Sequence, residues 1–145
     1  MINFSRRVLS AYTDAEHVID VEDKPKLLLK VYEEIIKKLD TVKKAIEKKD
    51  YEKKFTELSK IEQMIQILDE SLDRSFGQIS ENLSSLYAYI MKNLRDVHVS
   101  LDLKKIDECK GLLCTIFDGF KKAYEIEQKK RNEKKVDYQD QRIVI

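Results

Sequence analysis

The chain has 145 residues, enough for one domain that buries about two-thirds of the surface it exposes when unfolded, so neither a metal nor a disulfide is needed to hold a core. Charged residues make up 38 % of it, 28 basic against 27 acidic, and only three glycines and one proline interrupt it; this composition favours helix and argues against the strongly basic face that nucleic acid demands. No apolar run approaches the roughly 18 residues of a membrane span, and the two arginines near the amino terminus have no apolar stretch behind them, so neither membrane insertion nor a secretory signal is expected.

Residues 1–22 carry Phe4, Val8, Leu9, Tyr12, Val18 and Ile19 without a sustained period and are expected to form an arm lying on the domain. Asp23 then reads as an N-cap, with Pro25 tolerated in the first turn, where its missing N–H would be unsatisfied anyway. Apolar residues at Leu28, Tyr32, Ile35, Leu39, Val42 and Ile46 alternate by four and three, the spacing of a long helix packed nearly parallel or antiparallel to its neighbours. Asp50 caps a second helix with the stripe Tyr51, Phe55, Leu58, Ile61, Ile65, Leu68 and Leu72. The short Lys48-Lys49-Asp50 link forces it to return antiparallel. Met64 and Ile67 lie beside that stripe, so the apolar arc looks wider than one seam requires.

Gly77 marks the turn before a third helix, whose stripe is Ile79, Leu83, Leu86, Ile90, Leu94 and Val97, with Asn82, Tyr89 and Asn93 as a second row on one flank. Leu101-Asp102 opens a fourth helix through Ile106, Cys109, Leu113, Ile116 and Phe120, its three-and-four spacing running to about Tyr124. The expected fold is all-α, an antiparallel up-down-up-down four-helix bundle over residues 23–127, with the arm before it and a charged tail, frayed helix or disordered, over 128–145.

Little enzymatic chemistry fits. A carboxylate-bridged di-metal site needs Glu-x-x-His pairs, and neither His17 nor His98 has one; the glycines are isolated, so no phosphate loop forms. Cys109 and Cys114, five apart on one helix, point about 140° apart and cannot pair. They read as free thiols of a reducing compartment, hence a soluble cytoplasmic protein, and as buried hydrophobes before nucleophiles. The lysine pairs are interleaved with acids and read as a solvated face. Tyr32 and Tyr87 read as bundle residues with hydroxyls reaching water, whereas Tyr89, off the stripe, suits a partner surface. Excess apolar surface along helices two and three points to a bundle that receives an amphipathic or extended peptide.

The pattern Gly77-x-Ile79-x-x-Asn82-Leu83-x-x-Leu86-Tyr87-x-Tyr89 resembles the third-helix signature of the flagellar secretion chaperone family, the FliS-type proteins. Ala11-Tyr12, Lys26-Leu27-Leu28-Leu29 with Val31-Tyr32-Glu33, Ala45-Ile46-Glu47-Lys48-Lys49-Asp50-Tyr51, and Gly111-Leu112-Leu113 with Phe120 and Ala123 resemble further family segments in the same order, covering about residues 11–125. Phe117 stands where the family usually has Arg. The resemblance implies no catalysis, metal or cofactor. It implies a cytoplasmic chaperone, monomeric or weakly dimeric, that holds the disordered C-terminal segment of flagellin against premature polymerisation and delivers it to the flagellar type III export gate. The partner-binding residues expected on this basis are Tyr12 in the arm, Ile61, Met64 and Leu68 on helix two, and Asn82, Leu86, Tyr89 and Asn93 on helix three. A self-associating helical scaffold or regulatory adaptor using the same apolar surface is the alternative.

Overall fold

The computed structural model describes residues 24–144, with side chains through Lys134, so the expected arm and its Tyr12 fall outside the described residues. Four helices follow in order: α1 Lys24–Glu47, α2 Tyr51–Glu70, α3 Gln78–Ser100 and α4 Leu103–Val144, with a 3-10 turn, Arg74–Phe76, before α3. α1 packs on α2 and α4, and α3 packs on α2 and α4; among the described residues no diagonal pair of helices touches through the backbone. The molecule is an antiparallel four-helix bundle with a square cross-section.

That arrangement gives each helix two seams, which explains the wide apolar arc of α2. Met64 and Ile67, expected as surplus, are buried with Leu58, Ile61, Ile65 and Leu68 because α2 must fill the seam toward α1 and the seam toward α3 at once. Leu27, Val31, Tyr32, Ile35, Leu39 and Val42 come in from α1, Tyr87, Ile90, Leu94 and Val97 from α3, and Ile106, Cys109 and Leu113 from α4. Each fully buried Leu or Ile contributes about 1.5–3 kcal/mol relative to exposure.

The turns are set locally. Lys49 adopts φ 60°, its N–H bonding Ile46 O at 3.0 Å while the Asp50 N–H bonds Ala45 O at 2.8 Å, the paired closure of a Schellman C-cap made with lysine where glycine is usual. The Asp50 carboxylate accepts the Lys53 N–H at 3.2 Å and so starts α2 in the same turn. Gly77, at φ 62° and ψ −118°, occupies backbone space that a side chain would strain. Leu101, at φ 57°, closes α3, and the Asp102 carboxylate accepts the Lys104 N–H at 2.9 Å.

Three expectations change. Tyr51, Phe55 (62 % exposed) and Ile79 (66 % exposed) continue their stripes in phase but, at the helix ends, stand exposed outside the core. The hydroxyls of Tyr32 and Tyr87 do not reach water: they hydrogen-bond each other inside the core, and burial, their largest influence, raises the pKa of both. Finally, of the two alternatives for the tail, helix or disorder, helix holds: α4 continues past Tyr124 to Val144, 42 residues or about 63 Å at 1.5 Å per residue, because no Gly or Pro follows Gly119 and Lys, Glu, Gln and Arg dominate.

Candidate functional site: a seam and a groove flanking the fourth helix

The expected partner-binding residues divide between two environments. Ile61, Met64 and Leu68 are core residues of α2, at most 2 % exposed, and present nothing to a partner while the bundle is closed. This corrects the expectation of open apolar surface along α2; its physical cause is the second seam described above. The α3 residues lie together on the flank facing α4: Asn82 and Tyr89 are exposed, and Leu86 and Asn93 half-buried.

Polar contacts set the register of this seam. The Tyr89 hydroxyl donates to Glu108, Lys105 pairs with Asp96, and the Cys109 thiol reaches the Ile90 carbonyl at 3.9 Å. The hydrogen bond to Glu108 is the main reason the Tyr89 phenol is held above its ordinary pKa; Asn93, beside the same hydroxyl, opposes that shift, yet its buried Nδ2 completes no hydrogen bond. Continued along the helices, the register sets Leu86 level with Leu112 and Leu113, and Ile79 level with Phe120. The Asn82 carbonyl accepts from the Gln78 amide at 2.8 Å, which leaves its own amide hydrogens to act as donors. On α4, Gly111 and Gly119 are exposed and a Cβ at either would meet nothing within 4 Å, so the helix surface there is low and open to close approach.

On the other side of α4 lies a groove that sequence reasoning missed. Pro25, Leu28 and Leu29 of α1 face Phe120, Ala123 and Tyr124 of α4 across a cavity of about 730 Å³, rimmed by Lys24, Glu127, Gln128 and Arg131. Its floor rests on the core through Phe120, whose ring centroid lies 5.7 Å from that of Tyr32. The run Leu27-Leu28-Leu29 carried the signal: consecutive helical residues are about 100° apart, so three leucines cannot share one core-facing stripe. Exposed Phe76 and Ile79 sit at this same end, where α1 and α3 begin.

The opposite end carries a smaller cluster. Lys54, nearly buried, donates to the His98 carbonyl at 2.8 Å and caps the end of α3; the His98 ring bonds Glu62 at 2.9 Å and lies 5.5 Å from the Phe55 ring. Tyr51, Phe55 and Val99 are exposed around it.

Burial, and secondarily Glu108, pushes the Cys109 thiol up to about 12, so it is not a thiolate at neutral pH. Among the described residues no group of three or more His, Cys, Asp or Glu is placed to hold a metal ion, and no helix is long and apolar enough to cross a membrane.

Comparison with known proteins agrees with this geometry. A family model described as "Flagellar protein FliS" matches residues 9–127. A curated relative from Bacillus subtilis (strain 168), "Flagellar secretion chaperone FliS", is 28 % identical over 106 residues, covering 73 % of this chain and 79 % of the relative. A solved structure, "Crystal structure of flagellar chaperone from bacteria", superposes with a TM-score of 0.67 at 20 % identity over 81 % of this chain and 97 % of that one, and so shares the fold. With a matching family model over most of its length, a square four-helix bundle and an α3 row that carries the family signature, the chain belongs to the FliS family of flagellar secretion chaperones.

Proposed function

We propose that the protein binds the disordered C-terminal segment of a flagellin in the cytoplasm, prevents its premature polymerisation and delivers it to the flagellar type III export gate. The observation that carries this reading is the placement of accessible apolar and amide groups on both sides of α4: the α3–α4 seam with Asn82, Leu86, Tyr89 and Asn93, and the α1–α4 groove of about 730 Å³. A segment that orders on binding must bury on the order of 1,000–3,000 Å² to offset its lost entropy, and two surfaces flanking one helix offer more area than either alone. A chain crossing α4 from one to the other engages both. Asn82 donates to the peptide backbone, Leu86 and the groove leucines take apolar side chains, and Tyr89 supplies a rigid amphipathic edge. Tyr12, in the arm, covers part of this surface until flagellin displaces it. Ile61, Met64 and Leu68 act by keeping α1 and α3 in place. No catalytic step or cofactor is needed.

Titration calorimetry with the last ~40 residues of the cognate flagellin tests the reading, with a Kd on the order of micromolar or tighter expected. No heat and no complex at about 100 µM of each component would rule it out. The exposed cluster Tyr51, Phe55 and Val99 supports a second reading, a scaffold that self-associates. Light scattering separates the two: the chaperone is monomeric or weakly dimeric, the scaffold a defined oligomer.

A further inference from the structure

The lysines of this chain are not equally neutralised. Lys38 reaches Glu34 and Glu57, Lys43 reaches Asp107 and Lys110 reaches Asp40, at 3.5, 3.0, 3.1 and 2.8 Å. At the corner where α1 turns into α2 this pairing stops. Among the described residues no carboxylate lies within ion-pair distance of Lys44, Lys48, Lys49 or Lys53, all four of them exposed.

Three of these side chains surround one cavity. Thr41, Lys44, Ala45, Lys48, Asp50 and Lys53 line a space of about 330 Å³. The Lys48 N–H still bonds Lys44 O at 3.0 Å, so these two lysines stand one helical turn apart, their Cβ atoms about 5–6 Å from each other. Lys53 lines the same cavity from the first turn of α2. The carboxylate in the lining, Asp50, is engaged by the Lys53 N–H at 3.2 Å. Three ammonium groups therefore share a notch with a single acid, a crowding of like charge that an incoming anion relieves. Lys49 adds an independent observation. It holds the left-handed C-cap position, φ 60°, where glycine would fit without strain, and its exposed side chain packs on nothing that would offset the cost. A strained lysine at the rim of a cationic notch points to a use for its charge outside the fold.

The chemistry of the anion follows from spacing and total charge. The whole chain carries a net +1 and lacks the extended basic face that a nucleic-acid backbone requires. Carboxylates one turn apart on an acidic helix match the spacing of Lys44 and Lys48, with Lys49 and Lys53 flanking the pair. We propose that the α1–α2 corner docks an acidic helical segment of a second protein, held by Lys44, Lys48, Lys49 and Lys53. The corner lies about 36 Å along α1 from Lys24, at 1.5 Å per residue, so a partner docked there leaves the α1–α4 groove open. Opposite charges at this exposed site are screened over about 10 Å at 0.1 M salt and about 3 Å at 1 M, which makes the docking sensitive to ionic strength.

Amide NMR of the full chain, titrated with a helical peptide of about 15 residues whose glutamates recur one turn apart, provides the test. At about 0.1 M salt the peptide should shift the amides of residues 41–53 with a Kd below about 1 mM, and about 1 M salt should abolish the shifts. The variant Lys44→Glu, Lys48→Glu, Lys49→Glu, Lys53→Glu should bind it at least about tenfold more weakly. That variant should instead bind a peptide with Lys in place of Glu, which separates a reversed site from a damaged fold. The equal charge change Lys122→Glu, Lys129→Glu, Lys130→Glu, Lys134→Glu on α4 should alter affinity by less than about twofold. Equal weakening in the two variants, shifts centred away from the corner, tighter binding of inorganic triphosphate or of an oligonucleotide of matched charge, or failure of the swapped peptide to bind the reversed corner would each overturn the proposal.

Discussion

α2 and α3 are similar in length, and each has an apolar stripe with extra non-charged residues beside it, yet they spend those residues differently. In α2 the extras are buried: Met64 and Ile67 join Ile61, Ile65 and Leu68 between two neighbours. In α3 the flank toward α4 stays accessible, with Asn82 and Tyr89 exposed and Ile79 standing clear at the helix start. An apolar count does not reveal an interaction surface; what decides is whether a neighbouring helix is present at that height and on that side.

The largest test of the contrast is truncation in the two helices. Ile61→Ala or Met64→Ala should lower unfolding free energy by about 2–5 kcal/mol in urea melts, whereas Asn82→Ala should stay within about 0.5 kcal/mol. Equal losses would erase the distinction between them.

The core itself has a polar centre that links α1 to α3. Tyr87→Phe leaves the Tyr32 hydroxyl buried without its partner and should cost about 1–3 kcal/mol, while the double variant Tyr32→Phe, Tyr87→Phe should recover part of that loss. The same pair sets an alkaline limit. Both phenols have raised pKa values in the folded state, so their contribution is fully present below the ordinary tyrosine value of 10.0 and falls as pH rises above it, where the unfolded chain ionises first. Urea midpoints at increasing pH should decline more steeply in the native protein than in the double Phe variant.

Smallest, and opposite in sign, is Lys49→Gly. Removing a side chain from the left-handed C-cap should stabilise the α1–α2 corner by up to about 1 kcal/mol, seen as a rise in melting temperature.

Much of this architecture could be read from residue order. Asp50, Gly77 and Asp102 act where they stand, through backbone groups two or three residues away, so local chemistry sufficed to place the turns. Periodicity gave the phase of each helix but not the depth of cover at its ends, so Phe55 and Ile79 keep the stripe's phase and still face water. Tyr32 and Tyr87 meet across 55 positions, and the groove joins Leu28 to Tyr124; such pairings exist only once the bundle closes. The α3 row was legible because Asn82, Tyr89 and Asn93 are polar or amphipathic residues on one helical flank, a pattern a core does not require.

The central claim is that the α3 flank recognises a partner and does not merely support the bundle. Titrating the flagellin C-terminal segment into the variant Asn82→Ala, Tyr89→Ala while recording its melting temperature tests this directly. Binding should weaken by about tenfold or more with melting nearly unchanged. Unchanged affinity, or a loss matched by a large drop in melting temperature, would return those residues to a structural role.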